Sequence, residues 1–190
     1  MERIPESEAI AEPVDAQRFN AVMGRNRFRQ ADYQRLARRA VDMGIPVGGR
    51  VLDMGTGPGY VAIEVAKLLR ARACQVVGMD LSQPMLELAS ENAARAGLNG
   101  VMTWREGDVK AMPFDEGEFD LIVSNDSLHH WDDPLLVFDE IARVLKDDGR
   151  CIVRDSKRLQ GQWPWLFVQT ISLSIPSDFC VHWWNSIKSS

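Results

Sequence analysis

An alternation constrains this chain more than any other feature. From residue 50 to residue 156, short apolar runs of strand length trade places with longer stretches whose apolar residues recur every three or four positions. RVLDM (50–54), QVVGMD (75–80), VMTWREGD (101–108), DLIVSN (120–125) and RCIVRDS (150–156) read as strands. GYVAIEVAKLLRAR (59–72), SQPMLELASENAARAG (82–97) and DPLLVFDEIARVLKDDG (133–149) read as helices. Ser82 and either Asp132 or Asp133 are the expected N-caps, and Gly97 and Gly149 the expected stops. A strand that reaches its neighbour through a helix runs parallel to it with a right-handed crossover, so the expectation is an α/β fold around a parallel sheet.

Around that core the chain changes texture. Residues 1–14 are expected to form a flexible N-terminal arm. Residues 15–44 carry Phe19, Val22, Met23, Tyr33, Leu36, Ala40 and Met43 at helical spacing, which predicts one or two helices placed as a lid. The core spans 45–158. Residues 159–190 form an aromatic-rich segment holding four of the six tryptophans, a lid or an association surface.

With 190 residues the chain can bury one real hydrophobic core. Its net charge of −5 argues against nucleic acid as a partner. Arg25, Arg27, Arg29, Arg35, Arg38 and Arg39 crowd one region and read as a solvated helix face. Cys74, Cys151 and Cys180 show no metal-ligand spacing, so no metal is expected; they read as reduced thiols of a cytoplasmic protein, with Cys151 in a buried strand. No signal-peptide core and no run of eighteen apolar residues is present, so no membrane span is expected.

The first strand runs into VLDMGTGPGY (51–60), where Gly55, Gly57 and Gly59 alternate with other residues. In a parallel sheet, ligands sit beyond the carboxyl ends of the strands, and a strand–glycine turn–helix sequence suits close backbone approach. The G-x-G-x-x-G loop of nicotinamide enzymes would need a glycine where Tyr60 stands, and the P-loop spacing is absent. Asp53 makes the turn inhospitable to pyrophosphate; a zwitterionic tail with a positive centre suits it better. The second strand ends on Asp80, twenty-one residues past Gly59, where an acidic side chain accepts from ribose hydroxyls. The third ends in Glu106-Gly107-Asp108-Val109, where an aspartate can accept from an adenine amine.

These elements, in this order, resemble the class I S-adenosylmethionine-dependent methyltransferases. VLDMGTGPGY, VVGMDLS, EGDVKAMPF and FDLIVSNDSLHHWDDP are similar to their first four motifs, and EIARVLKDDGRCIV to the helix and strand that follow. The likeness covers roughly residues 45–156 and looks most like the small-molecule branch with the ubiquinone and menaquinone methyltransferases. It implies a doubly wound, Rossmann-like sheet of strand order 3-2-1-4-5 with helices on both faces. It implies S-adenosyl-L-methionine as cofactor, held by Asp53, Gly55, Thr56, Gly57, Gly59, Asp80, Leu81, Met85, Gly107, Asp108, Val109 and Asn125. A small molecule is the implied acceptor. SNDS (124–127) departs from the Asn/Asp-Pro-Pro-Tyr type used on bases and glutamine.

Methyl transfer from a sulfonium needs alignment more than a dedicated catalytic group. His129 and His130, just after the fourth strand, are the candidate bases for an acidic acceptor; orienting the loop is their other reading. Trp131 reads as core or pocket wall. The antiparallel strands that usually close this fold are expected to be missing or cut short, since the tryptophan-rich stretch does not read as a hairpin. A bare fifth-strand edge would favour a homodimer, or a C-terminal segment that covers it. Two other readings stay open: a protein that binds the cofactor without chemistry of its own, and, behind it, a nicotinamide oxidoreductase.

Overall fold

The computed structural model describes residues 10–98, 100–156 and 170–176. Two helices lead, α1 (Pro13–Arg25) and α2 (Arg27–Asp42). The alternating core follows as β1 (Arg50–Met54), α3 (Tyr60–Leu69), β2 (Gln75–Asp80), α4 (Gln83–Arg95), β3 (Met102–Glu106), β4 (Phe119–Asn125), α5 (Pro134–Val144) and β5 (Leu145–Ser156). A last strand, β6 (Thr170–Pro176), completes a sheet of order β3-β2-β1-β4-β5-β6. The first five strands are parallel, in the expected 3-2-1-4-5 order.

Period-two alternation decides how each strand feeds the two faces. Val51 of β1 joins the cluster beneath α2 and α3, with Leu36, Ala37, Ile63, Leu121 and Val123. Leu52 and Met54 turn to the opposite cluster, with Phe119, Ile122 and the α5 residues Val137, Ile141 and Val144. β1 is paired on both sides, to β2 and β4, and Val51 through Met54 are buried. The carboxyl end of this central strand is where the glycine turn begins.

Several boundaries differ from the sequence reading for local reasons. The leading helix begins at Pro13, inside the stretch read as an arm; proline is well suited to the first helical turn. Asn26 separates the two helices and caps the second, its Oδ1 accepting from the N–H groups of Phe28 and Arg29 at 3.1 and 3.2 Å. Helix α5 ends at Val144, not at Gly149. Its last carbonyls are taken from outside: Gly117 N–H donates to Arg143 O at 2.9 Å and Glu118 N–H to Val144 O at 2.8 Å. Leu145 is already extended and pairs with Phe119. Ser82 does cap α4, accepting from Met85 N–H.

The expected lack of closing strands needs correction in one respect. β6 lies antiparallel on β5 from Arg150↔Pro176 to Ser156↔Thr170. The fifth-strand edge is therefore not bare, which removes the reason for a homodimer through it. ISLSI (171–175) alternates apolar and polar residues, a strand signal that the neighbouring tryptophans obscure. Those tryptophans, and Cys180, lie outside the described residues. Cys74 and Cys151 are buried thiols.

Candidate functional site

The turn after β1 has all three glycines in the left-handed region: Gly55 at φ 68°, Gly57 at 50° and Gly59 at 79°. Each has a distinct reason beyond φ. A Cβ on Gly55 would stand 2.9 Å from Ser127 Cβ, so this glycine lets the loop after β4 close over the turn. A Cβ on Gly59 would meet Trp104 at 2.9 Å and Ala89 at 3.0 Å; it allows α3 to approach α4 and β3. Gly57 faces open space, with no heavy atom within 4 Å of a built Cβ. Its backbone is presented to whatever fills the crevice.

Asp80, at the carboxyl end of β2, ties this turn down. Its Oδ2 accepts from Gly57 N–H at 2.7 Å and its Oδ1 from Ser82 N–H at 2.9 Å. Burial raises its pKa, and its backbone hydrogen bonds and the nearby His130 act in the other direction. Asp53 is 3 % exposed and works inside the fold. Its Oδ2 accepts from Thr56 Oγ1 at 2.7 Å and from Ala62 N–H at 3.0 Å, bracing the turn and the first turn of α3. Burial pushes its pKa up to about 7, with these two hydrogen bonds opposing the shift.

The other sequence-predicted positions fall around this edge. Leu81 is exposed, whereas Met85 is buried with Leu88 against Ala16 of α1. Gly107 has no room for a side chain, with Pro113 Cδ 2.8 Å from a built Cβ, and its N–H donates to Asp80 O at 3.1 Å. Asp108 accepts from Lys110 N–H at 2.8 Å, and Val109 packs on the α5-side cluster. Lys110 also reaches Asp132 at 3.1 Å, joining the loop after β3 to the loop after β4 and holding the Asp132 carboxyl below its ordinary range.

At the ends of β4 and β5 the structure adds residues that the sequence reading missed. His129 Nδ1 lies 2.8 Å from Asp155 Oδ1, and the His129 and His130 rings are 4.0 Å apart. With the carboxylate accepting at Nδ1, the other ring nitrogen, Nε2, is left as the basic one. Asp155 stands at the carboxyl end of a parallel strand, and that position alone could have marked it. Asn125 Oδ1 accepts from Arg154 Nε at 2.7 Å. Trp131 is buried, as expected, and its Nε1–H donates to Ser127 Oγ at 3.0 Å.

Helices α1 and α2 lie across this edge. Ser82 Oγ donates to Ile10 O at 2.6 Å beside Asp80. Asn20 Oδ1 accepts from Tyr60 Oη at 2.6 Å and Asn92 Nδ2 at 3.1 Å, and Tyr33 stacks on Tyr60. Arg29 pairs with Asp126 and Asp32 with Arg154, both at 2.7 Å. Arg29 thus leaves the solvated face assigned to it. Among the described residues there is no cluster that could hold a metal ion.

A family model described as a methyltransferase domain matches residues 52–153, from within β1 to within β5. The chain belongs to the class I S-adenosylmethionine-dependent methyltransferase family. Among its methyltransferase relatives is the uncharacterized methyltransferase YcgJ of Bacillus subtilis, 34 % identical over 106 residues, 56 % of this chain and 40 % of YcgJ. The demethylmenaquinone methyltransferase of Thermus thermophilus is 35 % identical over 120 residues, 63 % of this chain and 53 % of that enzyme. The solved structure of a candidate methyltransferase from Methanococcus maripaludis superposes with a TM-score of 0.68 at 29 % identity, covering 79 % of this chain and 66 % of that one. The chain spans about half the length, or less, of the first of the curated methyltransferases it matches.

Proposed function

We propose that this chain moves a methyl group from S-adenosyl-L-methionine to a small-molecule acceptor by in-line displacement. The observation that carries the reading is the Asp80–Gly57 hydrogen bond, which draws the glycine turn and the end of β2 into one cradle. The cradle fits the cofactor. Gly57 offers backbone to open space, Asp80 offers a carboxylate to ribose hydroxyls, and no P-loop lysine is present to attract phosphate. The bound cofactor supplies an activated methyl on a sulfonium.

Gly55, Thr56 and Gly57 line the methionine tail, with Asp53 holding their turn in shape. Leu81, Asp108 and the Val109 amide border the adenine, while Gly59, Met85 and Gly107 hold the surrounding backbone. Asn125, fixed by Arg154, stands near the reaction centre. His129 takes the acceptor's proton on Nε2, and Asp155 keeps the imidazole in the tautomer that can do so. That pair favours an acceptor with an ionisable hydroxyl or enol. The α1–α2 lid excludes water, and the same reading makes this a cytoplasmic enzyme.

Calorimetry with S-adenosylhomocysteine tests the cofactor site directly. Micromolar binding, weakened about tenfold or more by Asp80→Asn, supports it; no heat from a folded wild type overturns it. His129→Gln and Asp155→Asn are expected to lower kcat by about 10²-fold or more with little change in binding, in keeping with a lost base.

A further inference from the structure

The outer face of the two leading helices has no role in the site. Helix α1 buries Ala16 against α4, and α2 buries Tyr33, Leu36, Ala37 and Ala40 against α3. Their opposite faces turn to solvent and mix two chemistries. Along α1, Val14, Arg18, Val22 and Arg25 recur at helical spacing on one exposed stripe. Val14 is 57 % and Val22 64 % exposed. At the corner between the helices the sequence reads RNRFR (25–29), and Phe28 is 89 % exposed. Arg35, Arg38 and Arg39 extend the basic surface along α2.

The charge is local. Residues 13–43 carry seven arginines against three aspartates in a chain whose net charge is −5. Among the described residues, Arg25, Arg27 and Arg38 have no acidic partner. A solvated helix face needs no exposed phenylalanine between arginines. A nucleic-acid surface would explain the arginines, but not the valines beside them. A bilayer surface explains both: arginines meet anionic headgroups while the apolar side chains enter the headgroup–acyl boundary.

We infer that the α1–α2 corner docks on an anionic lipid bilayer, with Phe28 and Val22 as the inserted residues and Arg25 and Arg27 as the headgroup contacts. The inner side of α2 carries Arg29 and Asp32, which meet the ends of β4 and β5. Docking by the outer side therefore sets the candidate acceptor site close to the bilayer. The surface does not depend on methyl transfer, so its test stands apart from that of the activity.

The test is flotation of the full chain with mixed phosphatidylcholine–phosphatidylglycerol vesicles and with pure phosphatidylcholine vesicles. The expected result is salt-sensitive binding to the anionic vesicles alone. Arg25→Gln with Arg27→Gln should weaken it about fivefold per arginine. Phe28→Ser should weaken it about tenfold or more at unchanged charge. Circular dichroism melts confirm folding, and S-adenosylhomocysteine affinity should be the same in all variants. Three results overturn the inference. The first is no anionic-vesicle binding by the wild type. The second is binding that ignores Phe28→Ser, which reduces the face to a diffuse charge. The third is a concentration-dependent dimer, or tighter binding to single-stranded RNA, that Phe28→Ser abolishes while vesicle binding persists.

Discussion

Single residues at this site serve the backbone as much as any ligand. Gly55 combines a left-handed φ of 68° with the nearby Ser127, so Gly55→Ala should cost about 2–4 kcal/mol by urea denaturation. Gly97→Ala, at φ 71° with open space around it, should cost only about 1 kcal/mol. Asp53 gives a pH signature. Its folded pKa of about 7 lies above the ordinary 3.8, so the folded chain holds a proton that the unfolded chain releases. Its stabilising contribution is full below about pH 4, declines as pH rises towards 7, and is flat above. Asp53→Asn should flatten part of that slope in denaturation curves taken across the window. Asp80, raised in the same direction, retains the rest. The position of Asp53 and Asp80 at the carboxyl ends of β1 and β2 was legible from the apolar runs and glycine spacing. The partners of Asp53 were not, because a carboxylate at a strand end can face the crevice or the helix behind it, and only three-dimensional placement decides.

At the scale of elements, legibility tracked how local each signal is. Strand cores and the Ser82 cap follow from nearby residues and the parallel sense from the crossover rule, whereas the order of strands came with the family resemblance. The end of α5 does not, since its last carbonyls are capped by Gly117 and Glu118 from the turn before β4. The His129–Asp155 pair escaped for the same reason: it joins a loop and a strand end 26 residues apart. Asn26 shows how much one cap can govern. It ends α1 and starts α2, so Asn26→Ala should lower stability by about 1 kcal/mol, read as a fall in Tm. Amide exchange should quicken most over residues 13–31, where the loss is felt.

Among the described residues, a six-stranded sheet, parallel but for β6, has its carboxyl edge roofed by α1 and α2; α2 packs its apolar face on α3, and the polar ties Ser82–Ile10, Asn20–Tyr60, Arg29–Asp126 and Asp32–Arg154 complete the attachment. Polar ties break more readily than a buried apolar core, so α1, which buries Ala16 alone, should open locally while α2 and the sheet stay in place. S-adenosylhomocysteine is expected to slow amide exchange in α1 and α2, measured by mass spectrometry. At a free concentration about 100-fold above its Kd it should raise global stability by about 2.7 kcal/mol.

The Arg29–Asp126 pair spans 97 positions of sequence, and that distance sets an order of events. A ribosome delivers α1 and α2 before the sheet, but the anchor for Arg29 emerges only with the end of β4, and the one for Asp32 later still, with β5. The apolar face of α2 meets its partners in α3 within about thirty residues, whereas these two ion pairs wait for the far strands, so the helices are seated early and locked late.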